Sequence, residues 1–573
     1  MEKKMYNSRT LSKSEIGKTV SIQGWVQNIR KIKGKTFVVI RDYYGIFQVV
    51  IDENSKTDKF SKESVVKVQG ILALRISPNH KIHNGDLEII VKNLETISFA
   101  QQIPFEINNE LFVNEDLRLQ FRYLDLRRET MKENLIFRYK IFHHIRCFLY
   151  ENNFIEIETP ILSKSTPEGA RSFLVPTRQK GKFFALPQSP QIYKQLLMVS
   201  GFEKYFQFAR VFRDEDLRRD RQFEFSQLDL EFGFGNFDLI SQQIENLIRN
   251  LWAKTFPDLT IDFPKLDYWE VIKQYGTDKP DLRFANKLFD LDFLDNSSPL
   301  FQGKTRGIFL EKVLITKADY RIFVEKIQQN KANKLLYTHI FDSKISYSSF
   351  KVEQNPLMKS KIENWLLENN YQNGTLFLIS DEYQNCSQAL GALRTLLATK
   401  YNLINTNEFR FAWIINWPLF ELDAESKLTS AHHPFTAPTD ESKHFLDNEP
   451  LKTQAQAYDL VLNGFELGSG SIRIHNSELQ SKIFQILGLK QEQINLEFGA
   501  LLRAFNYGVP PHGGFAFGLD RLIMILKNTE SIRDVIAFPV NSKGLDLLLD
   551  SPTEISPKIL SEFDLQMVEK NEN

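Results

Sequence analysis

Residues 205–232 read YFQFARVFRDEDLRRDRQFEFSQLDLEF and form the densest polar cluster of the chain. Five arginines and five acids lie between Arg210 and Glu224, so the segment is neutral overall yet crowded with charge. Side chains alternate along a strand, which puts Phe225, Gln227 and Asp229 on one face and Ser226, Leu228 and Leu230 on the other. An aromatic platform, an amide and a carboxylate beside arginines suit a nucleotide site. The plainer alternative is a hairpin with a salt-bridged, exposed tip, because surface ion pairs are common and weak.

Two further clusters follow. In YDLVLNGFELGSGSIRIH, residues 458–475, Asn463-Gly464 between apolar runs predicts a hairpin with a two-residue turn. Glu466 then pairs opposite Val461 and shares a face with Asp459, and two carboxylates within reach of each other suit a magnesium ion bound to a nucleotide. Arg473 joins that face only if a bulge lies in Gly468-Ser469-Gly470. In HGGFAFGLDRLIMIL, residues 512–526, glycines allow a strand to pack closely on the helix that follows, with Arg521 in its first turns. Neither GxxxxGK[ST] nor GxGxxG occurs, so P-loop and Rossmann mechanisms have no support.

Outward from these clusters, 573 residues predict several domains rather than one. Lys+Arg and Asp+Glu both number 72, and 42% of residues are hydrophobic, which excludes a polybasic, disordered or fibrous chain. Charge is nevertheless uneven: residues 1–100 hold 17 Lys+Arg against 10 Asp+Glu, a surplus of seven. Cys147 and Cys386 are far apart and form no CxxC, so neither a disulfide framework nor a cysteine zinc site is expected, which fits a reducing cytoplasm. With no signal-like N-terminus and no apolar span, the expectation is a cytoplasmic protein with no membrane partner.

Five short apolar or alternating runs between Thr19 and Ser98 predict a small barrel of the OB type. Its first connection carries Arg30, Lys31, Lys33 and Lys35 without an acid, and Phe37 and Phe47 lie among the strands, as single-stranded nucleic acid requires. Residues 106–132 read as a hinge, and Leu135, Tyr139, Phe142, Ile145 and Leu149 mark the apolar face of a helix leading into FIEIETP. The expected organisation is α+β and multidomain: barrel 1–105, hinge 106–132, first half of the main domain 133–282, an inserted α+β domain 283–404, second half 405–553, and a tail 554–573.

Three stretches, in chain order, resemble the signature motifs of class II aminoacyl-tRNA synthetases: FIEIETP with its helix is similar to motif 1, FRDEDLRRDRQFEF of the first cluster to motif 2 and GLDR of the last to motif 3. Within that class TPEGARSFLVPTR, ALPQSPQIYKQLLM, GTDKPDLR, SAHHPFT and GVPPHGGFAFGLDR resemble the bacterial-type aspartyl-tRNA synthetases over nearly the whole chain. The resemblance implies a class II catalytic domain with an antiparallel sheet flanked by helices, an OB-fold anticodon-binding domain, and a homodimer. It implies activation of L-aspartate by ATP with Mg2+, then transfer to the 3′ end of tRNA(Asp).

Carried onto matching positions, Arg213 meets the α-phosphate, Arg521 the γ-phosphate, and Phe225 stacks on adenine, with Glu215 and Gln222 in the same ATP loop. Lys194 and Arg473 face the substrate carboxylates, with Gln191, Asp229, His432, His433 and Glu168 around the amino acid. The histidines do not look like a metal pair, because neighbours on a strand point apart. Asp459 and Glu466, with Ser469 as an added oxygen, hold the metal. Arg30, Phe37, Gln48, Arg75 and Glu88 match anticodon contacts. Phe223 stands where the family has proline, and Ile32 stands where a histidine accompanies relaxed choice between tRNA(Asp) and tRNA(Asn). The alternatives are that relaxed form, an asparaginyl or lysyl sibling, and a non-catalytic RNA-binding paralogue.

Overall fold

The computed structural model describes residues 5–568 apart from 110, 166–169, 331, 333 and 424. It divides into two compact units, 1–114 and 115–573. In the first unit, β1 (Thr19–Ile32), β2 (Lys35–Arg41), β3 (Ile46–Ile51), β4 (Val65–Leu74) and β5 (Leu87–Ser98) close on themselves. β1 pairs with β2, β2 with β3, β3 in parallel with β5, and β4 with both β5 and β1. Alternation turns Val20, Ile22, Val38, Ile40, Phe47, Val49, Val66 and Val68 into one core. Phe47 is therefore packing, and of the two phenylalanines noted from sequence only Phe37 keeps a solvent-accessible side.

In the second unit, helix α1 (Glu129–Glu151) leads to the short edge strand β6 (Ile155–Glu156). Helix α2 (Gln191–Val199), strands β7 (Lys204–Phe212) and β8 (Glu224–Gly233), helix α3 (Phe237–Thr255) and strand β9 (Lys265–Asp267) follow. A five-stranded antiparallel sheet comes next: β10 (Leu288–Asp290), β11 (Lys304–Glu311), β12 (Leu336–Phe341), β13 (Lys344–Ser348) and β14 (Gly374–Asp381), followed by helix α4 (Tyr383–Lys400). The chain then returns with β15 (Phe411–Ile415), β16 (Ala457–Leu462), β17 (Phe465–Ile472), β18 (His512–Gly518) and helix α5 (Leu519–Leu526). The main sheet has the order β9-β15-β16-β17-β18-β8-β7-β6; its six inner strands are antiparallel and both edge strands are parallel to their neighbours.

One face of this sheet is dry. Leu228, Leu230, Leu460 and Phe515 join Ile240, Ile244, Leu247, Ile248 and Leu251 of α3 and Ile141, Ile145 and Leu149 of α1. α1 differs from its sequence reading: Tyr139 is 69% exposed, and the buried stripe runs through Ile141 instead. The hinge reading also changes. Residues 115–120 and 122–125 are helical, and Arg122, 2% exposed, donates to the carbonyls of Arg533, Ile536 and Ala537 and to Asp125. A buried guanidinium with all these acceptors clamps the segment to the second unit.

Candidate active site

The opposite face of the main sheet floors a cavity of about 370 Å³. β8 supplies Phe225, Gln227 and Asp229, as strand alternation predicts. β7 and the loop that follows supply Arg213, Glu215, Asp220, Arg221 and Gln222, and α2 supplies Gln191 and Lys194. Glu466, Ser469, Ser471, Arg473, His432, His433 and Arg521 complete the lining.

The β16–β17 hairpin shows how the register does this. Asn463 and Gly464 take φ of 53° and 86°, the left-handed pair that a tight hairpin turn demands. Glu466 pairs with Val461, but Gly468 pairs with Leu460, so Leu467 is the extra residue. The bulge thus sits one residue before the glycine run, not inside it. Its effect is the expected one: Glu466, Ser469, Ser471 and Arg473 all face the cavity.

At one end of the cavity Lys194 Nζ lies 2.7 Å from Asp229 and 3.4 Å from Glu231. Arg473 donates Nε and Nη2 to Glu231 at 3.0 and 3.3 Å, and Nη1 to Ser471. All four charged side chains are nearly sealed from solvent, so each cation needs its carboxylate. Burial pushes the Glu231 carboxyl up, but Arg473 and Lys194 outweigh it and hold it below the usual range. Asp229 Oδ2 and Gln191 Nε2 have no hydrogen-bond partner among the described residues and remain free for a polar ligand. Glu231 is the residue the sequence reading missed, although it continues the Phe225, Gln227, Asp229 alternation by one step.

At the other end the guanidinium of Arg213 lies over the Phe225 ring, 5.3 Å from its centroid, and its Nε has no hydrogen-bond partner among the described residues. Arg521 donates Nη1 to the Glu466 carbonyl and Nη2 to Asp220 at 3.1 Å, and its Nε likewise has no partner among the described residues. Glu215 is held by Arg221 at 2.8 Å. Gln222 exchanges hydrogen bonds with the backbone of Val540, at 3.1 and 2.9 Å, which fixes the loop. Phe223 adds to that anchoring. Its ring meets Phe173 edge-on at 5.6 Å, and a Cβ on Gly544 would lie 2.5 Å from it.

Asp459 is not in the lining; it lies buried behind Ser469, its register partner. Burial and the nearby Glu466 push its carboxyl well up, and Oδ1 has no hydrogen-bond partner among the described residues. Two neighbouring carboxyl groups, one with an oxygen that has no partner among the described residues, fit a hard divalent cation. No group of three or more His, Cys, Asp or Glu side chains suited to a metal occurs among the described residues. Among the described residues the protein side of such a site is this pair with Ser469 beside it, as befits a metal that shares its shell with phosphate and water.

His432 and His433 lie in a turn rather than a strand, and both line the cavity. Burial lowers them to about 4 and about 3, so both rings are neutral near pH 7, and each Nε2 lacks a partner among the described residues. Glu168 lies outside the described residues.

In the barrel, Arg30 pairs in register with Phe37, and Gln48 with Glu88. Arg75 donates to Gln48 Oε1 at 2.9 Å, and Gln48 donates to Glu88 at 2.7 Å, so three of the five anticodon candidates form one hydrogen-bonded row.

A family model described as tRNA synthetases class II (D, K and N) matches residues 114–542. The chain belongs to that family. A model of the OB-fold nucleic acid binding domain matches residues 20–97 of the synthetase. Among its relatives, the "Aspartate--tRNA ligase" of Malacoplasma penetrans is 47% identical, the match covering 96% of this chain and 97% of that protein. The "Aspartate--tRNA(Asp/Asn) ligase" of Caldanaerobacter subterraneus is 43% identical, covering 97% of both. The solved asparaginyl-tRNA synthetase of Pyrococcus horikoshii, complexed with asparaginyl-adenylate, superposes with a TM-score of 0.58 at 18% identity, over 94% of the synthetase and 98% of that chain. At that identity the likeness speaks for the fold alone.

Proposed function

We propose that the synthetase is an aspartate–tRNA ligase: it joins L-aspartate to ATP as aspartyl-adenylate, releasing pyrophosphate, and passes the aspartyl group to the 3′ end of tRNA(Asp). The observation that carries this reading is the sealed Lys194, Arg473, Asp229 and Glu231 cluster at one end of a cavity whose other end holds Arg213, Phe225 and Arg521. Two buried cations match the side-chain carboxylate of aspartate, each charge-assisted bond being worth about 1.5–3 kcal/mol, whereas an amide would leave them poorly paired. Asp229, with Oδ2 free, suits the ammonium.

The substrate α-carboxylate is the nucleophile on the α-phosphorus, so positioning and charge stabilisation do the work. Arg213 leaves its stacked position for the α-phosphate, freeing Phe225 for adenine; Glu215 and Gln222 shape the loop around the base; Arg521 takes the γ-phosphate. Glu466 and Asp459 would hold Mg2+, which supplies charge neutralisation at the phosphates when bound. Ser469 stands beside them. His432, His433 and Gln191, together with Glu168, enclose the amino acid. Arg30, Phe37, Gln48, Arg75 and Glu88 read the anticodon, and the exposed face of α1 with β6 is the contact surface of a cytoplasmic homodimer. No helix among the described residues is long and apolar enough to cross a membrane.

The test is exchange of pyrophosphate into ATP: aspartate should support it, and exchange driven by asparagine or lysine instead would overturn the assignment. Charging of tRNA(Asn) at the same rate as tRNA(Asp) would favour the relaxed form; Ile32, 52% exposed, argues for the discriminating one.

A further inference from the structure

The segment 276–286, GTDKPDLRFAN, stands outside the cavity lining but touches its metal-binding end. Lys279 Nζ lies 3.3 Å from Glu466 Oε2 and 2.6 Å from Asp278. Its backbone is gripped from both sides. Helix Tyr268–Tyr275 ends on Gly276 at φ 69°, where a Cβ would lie 2.1 Å from the Ser387 carbonyl of α4. Arg394 of α4, 2% exposed, donates to the carbonyls of Asp281, Phe284 and Asn286. On the other side, a Cβ on Gly464 would stand 3.2 Å from Asp281 Cβ, so the segment abuts the turn of the β16–β17 hairpin.

A lysine on a fixed backbone 3.3 Å from Glu466, whose buried neighbour Asp459 has one oxygen without a hydrogen-bond partner among the described residues, is more than a loose surface pair. We propose that Lys279 is a positioning residue of the nucleotide site: its ammonium is the built-in counter-cation of the Asp459 and Glu466 pair, held there by α4 until a divalent cation takes its place. The inference rests on the reading of that pair as metal-binding. It gives α4, which follows the inserted five-stranded sheet, a part in the site, since α4 sets where Lys279 stands.

The test is Mn2+ binding to the full chain without nucleotide, followed by electron paramagnetic resonance. Removing one positive charge a few ångströms from a divalent ion strengthens its binding, so Lys279→Met should bind Mn2+ about tenfold more tightly. Lys279→Arg, which keeps the charge, should stay near wild type, and Glu466→Gln should lose the gain. Unchanged or weaker binding by Lys279→Met would overturn the proposal and leave Lys279 a mere clamp. Failure of both wild type and Lys279→Met to bind Mn2+ would overturn it too, by removing the pair as a cation site. Should Lys279→Met not fold, Lys279→Gln serves the same comparison, because it drops the charge and keeps a donor for Asp278. Aspartate-dependent exchange by the wild type judges the ligase reading separately.

Discussion

Asp220 and Arg521 show what single residues do before substrate arrives. The 3.1 Å pair means that the guanidinium assigned to the γ-phosphate is already occupied by a carboxylate. ATP must displace Asp220 and AMP need not, so Asp220→Asn should tighten ATP several-fold and leave AMP unchanged in equilibrium binding. Arg521→Ala should instead abolish pyrophosphate exchange while the circular dichroism spectrum stays native. His433 carries a pH signature. Burial first, then Arg473 and Lys194, lowers it from 6.5 to about 3, so the unfolded chain takes up a proton between those values and the folded one does not. The stability this neutral ring contributes is full above pH 6.5 and is lost as pH falls toward 3. His433→Asn should therefore flatten the fall of the apparent melting temperature between pH 6.5 and 4.5.

Among the elements, β18 decides how the Lys194 and Arg473 end of the cavity is built. Gly514 pairs with Glu231 of β8, and a Cβ there would lie 1.9 Å from Glu231 Oε2. Gly514→Ala should push that carboxylate off Arg473 and Lys194. The expected result is a KM for aspartate raised tenfold or more with KM for ATP little changed, measured by exchange kinetics. The same level shows what strand logic can deliver. Period-2 alternation put Phe225, Gln227 and Asp229 on one face correctly, because β8 runs without irregularity between two antiparallel neighbours. It located the bulge of β17 one residue late, because any residue near a glycine run can absorb an extra position. The apolar stripe of α1 was mistaken at Tyr139 because period 3.6 tolerates two adjacent faces, and only the packing partners choose between them.

For the whole molecule the informative quantity is where charge resides. The surplus of seven positive charges in residues 1–100 sits in the unit that holds the barrel, while the active site lies in a unit with a deficit. Binding of tRNA and activation of aspartate should therefore separate experimentally. Replacing Lys31, Lys33 and Lys35 together by alanine should lower the slope of log K for tRNA against log salt by about two, and leave exchange untouched.

The sequence by itself determined the family motifs, the barrel, the α+β character and most of the cavity's charged lining, because those follow from local periodicity and residue chemistry. Only the tertiary structure decided which carboxylate neutralises which cation. The pairing of Glu231 with Arg473, Asp220 with Arg521 and Lys279 with Glu466 joins residues 242, 301 and 187 positions apart. The first pair is selected by burial, where an unpaired charge costs too much to persist. The other two, with side chains 22–36% exposed, are brought together by the packing of distant strands and loops, and both are properties of the packed chain rather than of any segment. The stretch 115–132 teaches the same lesson: its charges read as a hinge until Arg122 finds its carbonyl acceptors more than 400 residues away.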